Sequence, residues 1–176
     1  IDDYDWESFG IALKLGGSRP LPTIVGNPTN MSIVNSHKSI HFYELTIKGR
    51  EAHSSLVHEG VSANMIAIDI LATLARIAEG EQADHHDPRF DPPWSTLTVG
   101  TIHGGLNTNS VPDEARITVD TPTVPGIDHV DLCHALQSLV GPRGASVRRI
   151  VDRPALYTYP YNEWAELVLA ARAAFL

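Results

Sequence analysis

The chain has 176 residues, 43% of them hydrophobic, which suits one ordinary domain with room for segments of a neighbour. Its formal charge is -8 at pH 7 and it carries no run of Lys or Arg, which argues against nucleic acid as a partner. One cysteine, Cys133, excludes an internal disulfide, and no apolar run reaches the ~18 residues that a membrane span needs.

The opening Ile1-Asp2-Asp3-Tyr4-Asp5-Trp6 is acidic where a secretory leader is basic and then apolar, so a cytoplasmic location is expected. The chain starts without Met and stops inside an apolar helical pattern, and reads as a fragment. Residues 6–15 suggest a weak helix closed by Gly16-Gly17, then an apolar run over 21–25 and a turn at Gly26-Asn27-Pro28-Thr29-Asn30. Over 39–48, Tyr43, Leu45 and Ile47 alternate with Glu44, Thr46 and Lys48, the period of a strand with one wet face.

Further on, Ile66, Ile70, Leu74 and Ile77 recur at helical spacing, widened by Ala67, Leu71 and Ala78, and Gly80 stops the pattern. A loop rich in charge and proline over 81–93 precedes a second strand, in which Leu97 and Val99 alternate with Thr96 and Thr98 up to Gly104-Gly105. A third strand covers about 115–120, with Ala115, Ile117 and Val119 on one side. A second helix covers 128–140, with Leu132, Leu136, Leu139 and Val140 on one face and Gly141-Pro142 at its end. A fourth strand puts Ala145, Val147 and Val151 on an apolar side that Arg149 interrupts.

The order β-α-β-β-α-β predicts an α+β, ferredoxin-like unit: a four-stranded antiparallel sheet with two helices on one face and the other face wet or covered by a partner. A doubly wound parallel sheet is excluded because no helix separates the second and third strands. The expected division is a flank over 1–38, this unit over 39–152 and a return segment over 153–176. Near its end, Trp164, Leu167, Val168 and Ala171 make a helical stripe that needs a packing partner.

Three local patterns occur in order. The first is Ile24-Val25-Gly26-Asn27-Pro28-Thr29. The second is Lys48-Gly49-Arg50-Glu51-Ala52-His53-Ser54-Ser55, followed by Gly60-Val61-Ser62-Ala63-Asn64. The third is Gly100-Thr101-Ile102-His103-Gly104-Gly105, with Asn109-Ser110-Val111-Pro112-Asp113 and Val124-Pro125-Gly126 beyond it. Together they resemble the acetylornithine deacetylase, succinyl-diaminopimelate desuccinylase and carboxypeptidase family of metallopeptidases, mainly its lid or dimerisation domain.

The resemblance implies a homodimeric enzyme of two domains, in which a catalytic α/β domain holds two zinc ions and an inserted lid mediates dimerisation. The implied substrates are N-acylated amino acids or peptides, and the implied reaction is amide hydrolysis by a metal-bound hydroxide. His53 matches the lid-loop histidine that reaches the partner subunit's active site and stabilises the oxyanion. Such a donor can be worth ~2.7 to 4 kcal/mol. Asn109 matches an asparagine that lines the substrate site, and Gly104 and Gly105 serve the same loop by permitting close backbone approach or positive φ.

Several ligand positions of that family have no match. Its His-x-Asp motif is absent, and Asn27 stands where the turn has a glutamate ligand. Its paired glutamates align with Asp2-Asp3 by length or with Tyr4-Asp5 by the downstream Gly10, which leaves Asp3 and Asp5 as weak metal candidates. No tightly bound zinc is expected in this chain alone. Pro122 replaces an arginine that can clamp a substrate carboxylate. Those departures keep open a second reading, a non-catalytic homodimerisation or binding module. His85-His86-Asp87 is better read as a solvated linker and Cys133 as a packed residue of its helix.

Overall fold

In the computed structural model, which describes residues 33–80, 86–126, 129–157 and 163–173, the alternating stretch Ile40–Lys48 is an inner strand, β2. A two-residue strand, β1 (Ser36–His37), precedes it, and another, β3 (Ala52–His53), follows. A 3-10 turn over Ser54–Glu59 leads to helix α1 (Ala63–Gly80), whose first turn is capped where the Ser62 hydroxyl accepts the Met65 N–H at 3.3 Å. Then come β4 (Thr98–Gly104), β5 (Ser110–Val111), β6 (Glu114–Asp120), α2 (His129–Val140), β7 (Ala145–Arg153) and β8 (Leu156–Tyr157). Ser36–Tyr157 forms one compact unit; Ile1–Asn35 and Thr158–Leu176 form another, whose helix α3 spans Glu163–Ala173. The sequence expectations over residues 6–15 and 21–30 lie outside the described residues.

The main sheet has the order β4-β6-β2-β7 with every neighbour antiparallel. That order is the ferredoxin-like arrangement expected from the β-α-β-β-α-β pattern. Its inward residues Tyr43, Leu45, Ile47, Ala115, Ile117, Val119 and Ala145 share one core with Ala63, Ala67, Ile70 and Leu74 of α1 and Leu136 and Val140 of α2. Both helices therefore cover the same face. Each wholly buried Leu or Ile in such a core contributes about 1.5–3 kcal/mol. Burial also acts on the phenol of Tyr43, pushing its pKa up to about 12, with Cys133, Arg149 and Asp152 as smaller influences.

The other face is charged. Glu44 pairs with Arg148 at 2.9 Å, and Glu114 pairs with Arg116 at 2.7 Å and with Lys48. These pairs are largely exposed and orient strands more than they stabilise them.

The fourth strand departs from the expected pattern. Val151 does not share a face with Ala145 and Val147: a bulge between the Tyr43–Arg149 and Phe42–Val151 pairs reverses the alternation. Val151 therefore stands opposite Phe42 on the outer face, and Asp152 opposite His41 on the inner one. Arg149 ends the apolar side because its guanidinium reaches Asp152 at 2.9 Å, while Asp152 also lies 3.1 Å from the buried His41 Nδ1. A second bulge, at Gly100 between Val99 and Thr101, bends the edge strand β4.

Where the chain enters and leaves this unit, β1 pairs with β8, Ser36 opposite Tyr157. The loop over residues 86–95 ties onto β8 and onto Lys38, just after β1. Lys38 Nζ donates to the Trp94 carbonyl at 2.7 Å, and the Arg89 guanidinium lies 4.1 Å from the centre of the Tyr157 ring.

Candidate active-site loop

At the end of β2 the chain turns under its own loop, and the contact is backbone against backbone. The Gly49 N–H donates to the Asp113 carbonyl at 2.7 Å, Arg50 and Val61 exchange N–H and carbonyl at 2.8 and 2.9 Å, and the Ala63 N–H donates to Pro112 at 2.8 Å. A Cβ on residue 49 would stand 2.1 Å from the Val61 oxygen, so only glycine fits the crossing. The loop is tied farther out by the β3–β5 ladder, Ala52 opposite Val111 and His53 opposite Ser110, and by a Ser54 N–H to Asn109 carbonyl bond of 3.0 Å.

This stitching places His53 at the N-cap of the 3-10 turn, with extended backbone at φ -66 and ψ 140. Its Nδ1 accepts the Ser55 N–H at 3.2 Å and lies 2.7 Å from the Ser55 hydroxyl oxygen. A backbone N–H can only donate, so Nδ1 is the acceptor, and in the neutral ring the proton sits on Nε2. The imidazole is exposed, and among the described residues no hydrogen bond is formed at Nε2. The site thus presents an outward N–H donor whose other ring nitrogen is held.

Asn109 belongs to the turn just before β5, with an exposed side chain, and is joined to the His53 loop through its carbonyl. Gly104 ends β4 against α1: a Cβ there would meet Asn64 Oδ1 at 2.0 Å, and Asn64 Nδ2 donates to the Gly104 carbonyl at 3.4 Å. Gly105 adopts φ 77, the left-handed region, and packs beside Pro112. So His53, far earlier in the chain, is brought against the 105–113 loop that Gly104, Gly105 and Asn109 shape. The sequence reading gave no role to Ser55 or Asn64. The signal for Ser55 was its spacing from His53, since an N-cap side chain accepts from the N–H two or three residues on.

Metal chemistry has no donor set here. Among the described residues no three His, Cys, Asp or Glu side chains come together as a metal ion requires. The weak candidates Asp3, Asp5 and Asn27, and also His85, lie outside the described residues. Asp87 is engaged by Arg89, with bonds of 2.7 and 2.5 Å to its two oxygens, and that guanidinium holds its carboxyl below the usual Asp range. Pro122, where an arginine was the family expectation, uses its carbonyl to accept the Thr96 N–H at 3.0 Å. A cavity of about 170 Å³ at the start of β2, lined by Ser39, His41, Thr123 and Pro154 among others, lies at the opposite end of that strand from His53. No described helix is long and apolar enough to cross a membrane.

Residues 35–147, well over half of the chain, match the sequence model of the peptidase dimerisation domain. The chain belongs to that family. Its peptidase dimerisation domain is similar to the acetylornithine deacetylase of Myxococcus xanthus, 32% identical over 114 residues, which is 65% of this chain and 30% of that protein. The acetylornithine deacetylase of Pectobacterium atrosepticum is 31% identical over 124 residues, 70% of this chain and 32% of its own length. The chain thus spans about a third of these curated relatives.

Two solved structures share the fold. They are a hydantoinase/carbamoylase family amidase from Burkholderia vietnamiensis, with TM-score 0.58 and 21% identity over 80% of this chain and 32% of that one, and the aminopeptidase PepT from Bacillus cereus, with TM-score 0.56 and 19% identity over 81% and 37%.

Proposed function

We propose that this peptidase dimerisation domain is the lid of a homodimeric, zinc-dependent amidohydrolase acting on N-acylated amino acids, and that His53 donates a hydrogen bond to the oxyanion in the partner subunit's active site. The observation that carries the reading is the state of the imidazole: Nδ1 is engaged by Ser55 and Nε2–H is turned outward on a loop fixed by backbone bonds. Attack on an amide carbonyl builds negative charge on its oxygen, and a donor already oriented toward that charge lowers the barrier. The similarity to acetylornithine deacetylases supports the substrate class.

In this reading residues 1–38 and 153–176 belong to a catalytic domain, zinc is held by residues other than those described, and the protein works in the cytoplasm. Asn109 lines the substrate side of the loop, with Gly104 and Gly105 shaping it. Dimerisation would use the edge strand β4 and the outer side of α1. There Ile102, Met65 and Ile68 are 57%, 65% and 58% exposed, and β4 is an edge strand among the described residues. The alternative, a homodimerising module without catalysis, is favoured by Pro122 and Asn27 at positions where the family has an arginine and a ligand.

The test is His53→Ala in the whole protein that carries this chain, assayed on N-acetyl amino acids. The expected result is a kcat lower by about 100- to 1,000-fold with the dimer intact by sedimentation. An unchanged kcat, or a strictly monomeric protein at high concentration, would refute the reading.

A further inference from the structure

We infer that Ser55 is a positioning residue: it fixes the tautomer and ring orientation of His53, so that the outward nitrogen is always the protonated one. This rests on the proposed role of His53 and adds the device that sets it. Two contacts from one residue converge on a single ring nitrogen, the Ser55 N–H at 3.2 Å and the Ser55 hydroxyl oxygen at 2.7 Å.

In a free neutral imidazole the proton moves between the two nitrogens, and only one form could donate outward here. With a backbone donor already aimed at Nδ1, a proton there would face a second proton. The Ser55 hydroxyl then orients its own hydrogen toward Nδ1 as well, and the two donors together select Nε2–H. His53 itself caps the 3-10 turn by accepting that N–H, so the ring cannot rotate away without uncapping the turn. The arrangement is the one by which an enzyme usually holds an imidazole in its working tautomer, with a partner on the nitrogen that faces away from the reaction. Here the partner is a donor, where a carboxylate would select the opposite proton.

The experiment has two arms. In this chain, nitrogen-15 NMR of the His53 ring reports the tautomer directly. The wild type is expected almost entirely as Nε2–H, and Ser55→Ala should shift the ratio toward Nδ1–H by about three- to tenfold, the effect of one neutral hydrogen bond. Ser55→Thr, which keeps the hydroxyl, should restore it.

In the whole protein, Ser55→Ala should lower kcat by a similar factor at unchanged KM, with Ser55→Thr again restoring it. A ring tautomer indifferent to Ser55→Ala overturns the inference. So does a shifted tautomer with unchanged kcat in a protein whose His53→Ala variant is impaired. If His53→Ala leaves kcat unchanged, the catalytic reading fails, and the positioning role in catalysis fails with it, while the NMR arm still decides whether Ser55 sets the ring.

Discussion

Replacing Gly49 by alanine tests the link between fold and site at its narrowest point. The added methyl would meet the Val61 oxygen at 2.1 Å, the Ala63 nitrogen at 2.9 Å and the Pro112 oxygen at 3.0 Å, all backbone atoms. None can swing aside as a side-chain tip can, so the loop must lift by roughly 1 Å to regain ordinary contact. Lifting breaks the reciprocal Arg50–Val61 bonds, at about 1 kcal/mol each, and residual crowding costs about 1–3 kcal/mol. Alanine's smaller unfolded-state freedom returns about 0.4–1 kcal/mol, which leaves a net loss of about 2–5 kcal/mol.

Amide hydrogen exchange in this chain provides the assay. Exchange at Arg50, Val61 and Ala63, whose N–H groups all donate across the crossing, should quicken by about 30-fold or more, since 1.4 kcal/mol corresponds to a factor of ten. Exchange within about twofold of wild type at all three amides, with stability within about 0.5 kcal/mol, would refute the claim that glycine is required there.

Ile70→Ala, which empties a wholly buried position beneath the sheet, should lower unfolding stability by about 2–5 kcal/mol in urea; a loss under about 1 kcal/mol would mean that α1 does not seal the core as described. Asp120 bears on acid stability. Burial raises its pKa above the usual Asp value, against a smaller opposing bond from the Thr121 backbone, and its buried Oδ1 has no hydrogen-bond partner among the described residues. The folded chain therefore holds this proton more tightly than the unfolded chain. The penalty of ionising it is absent below the unfolded value, grows as pH rises through the interval up to the folded value, and is complete above that. Urea titrations from about pH 3 to pH 7 should show Asp120→Asn gaining stability relative to wild type across that interval, and a pH-independent difference would contradict the assignment.

The ferredoxin-like order was legible because the strands alternate and the helices carry stripes in sequence, and burial follows that alternation in the two central strands, β2 and β6. Tyr43, Leu45 and Ile47 point into the core as their spacing predicts. Periodicity stops being informative at the bulges. One extra residue near Ile150 moved Val151 to the outer face and gave Arg149 its partner in Asp152, neither of which the alternation contained. Two-residue ladders such as β3–β5 are too short to carry any period, yet that ladder is what brings His53 beside Ser110. The site was therefore readable as a set of motifs but not as an arrangement. Which nitrogen of His53 faces outward depends on a side-chain rotation toward Ser55, and sequence spacing does not specify rotation.

Ser36 and Tyr157 face each other across the β1–β8 pair, so the two ends of this unit emerge about 5 Å apart. In a longer chain, everything between them occupies the place that a hairpin turn would fill. Such a segment can be inserted, removed or exchanged for a short connection with little disturbance to the host, because the host has to bridge only the gap between neighbouring strands.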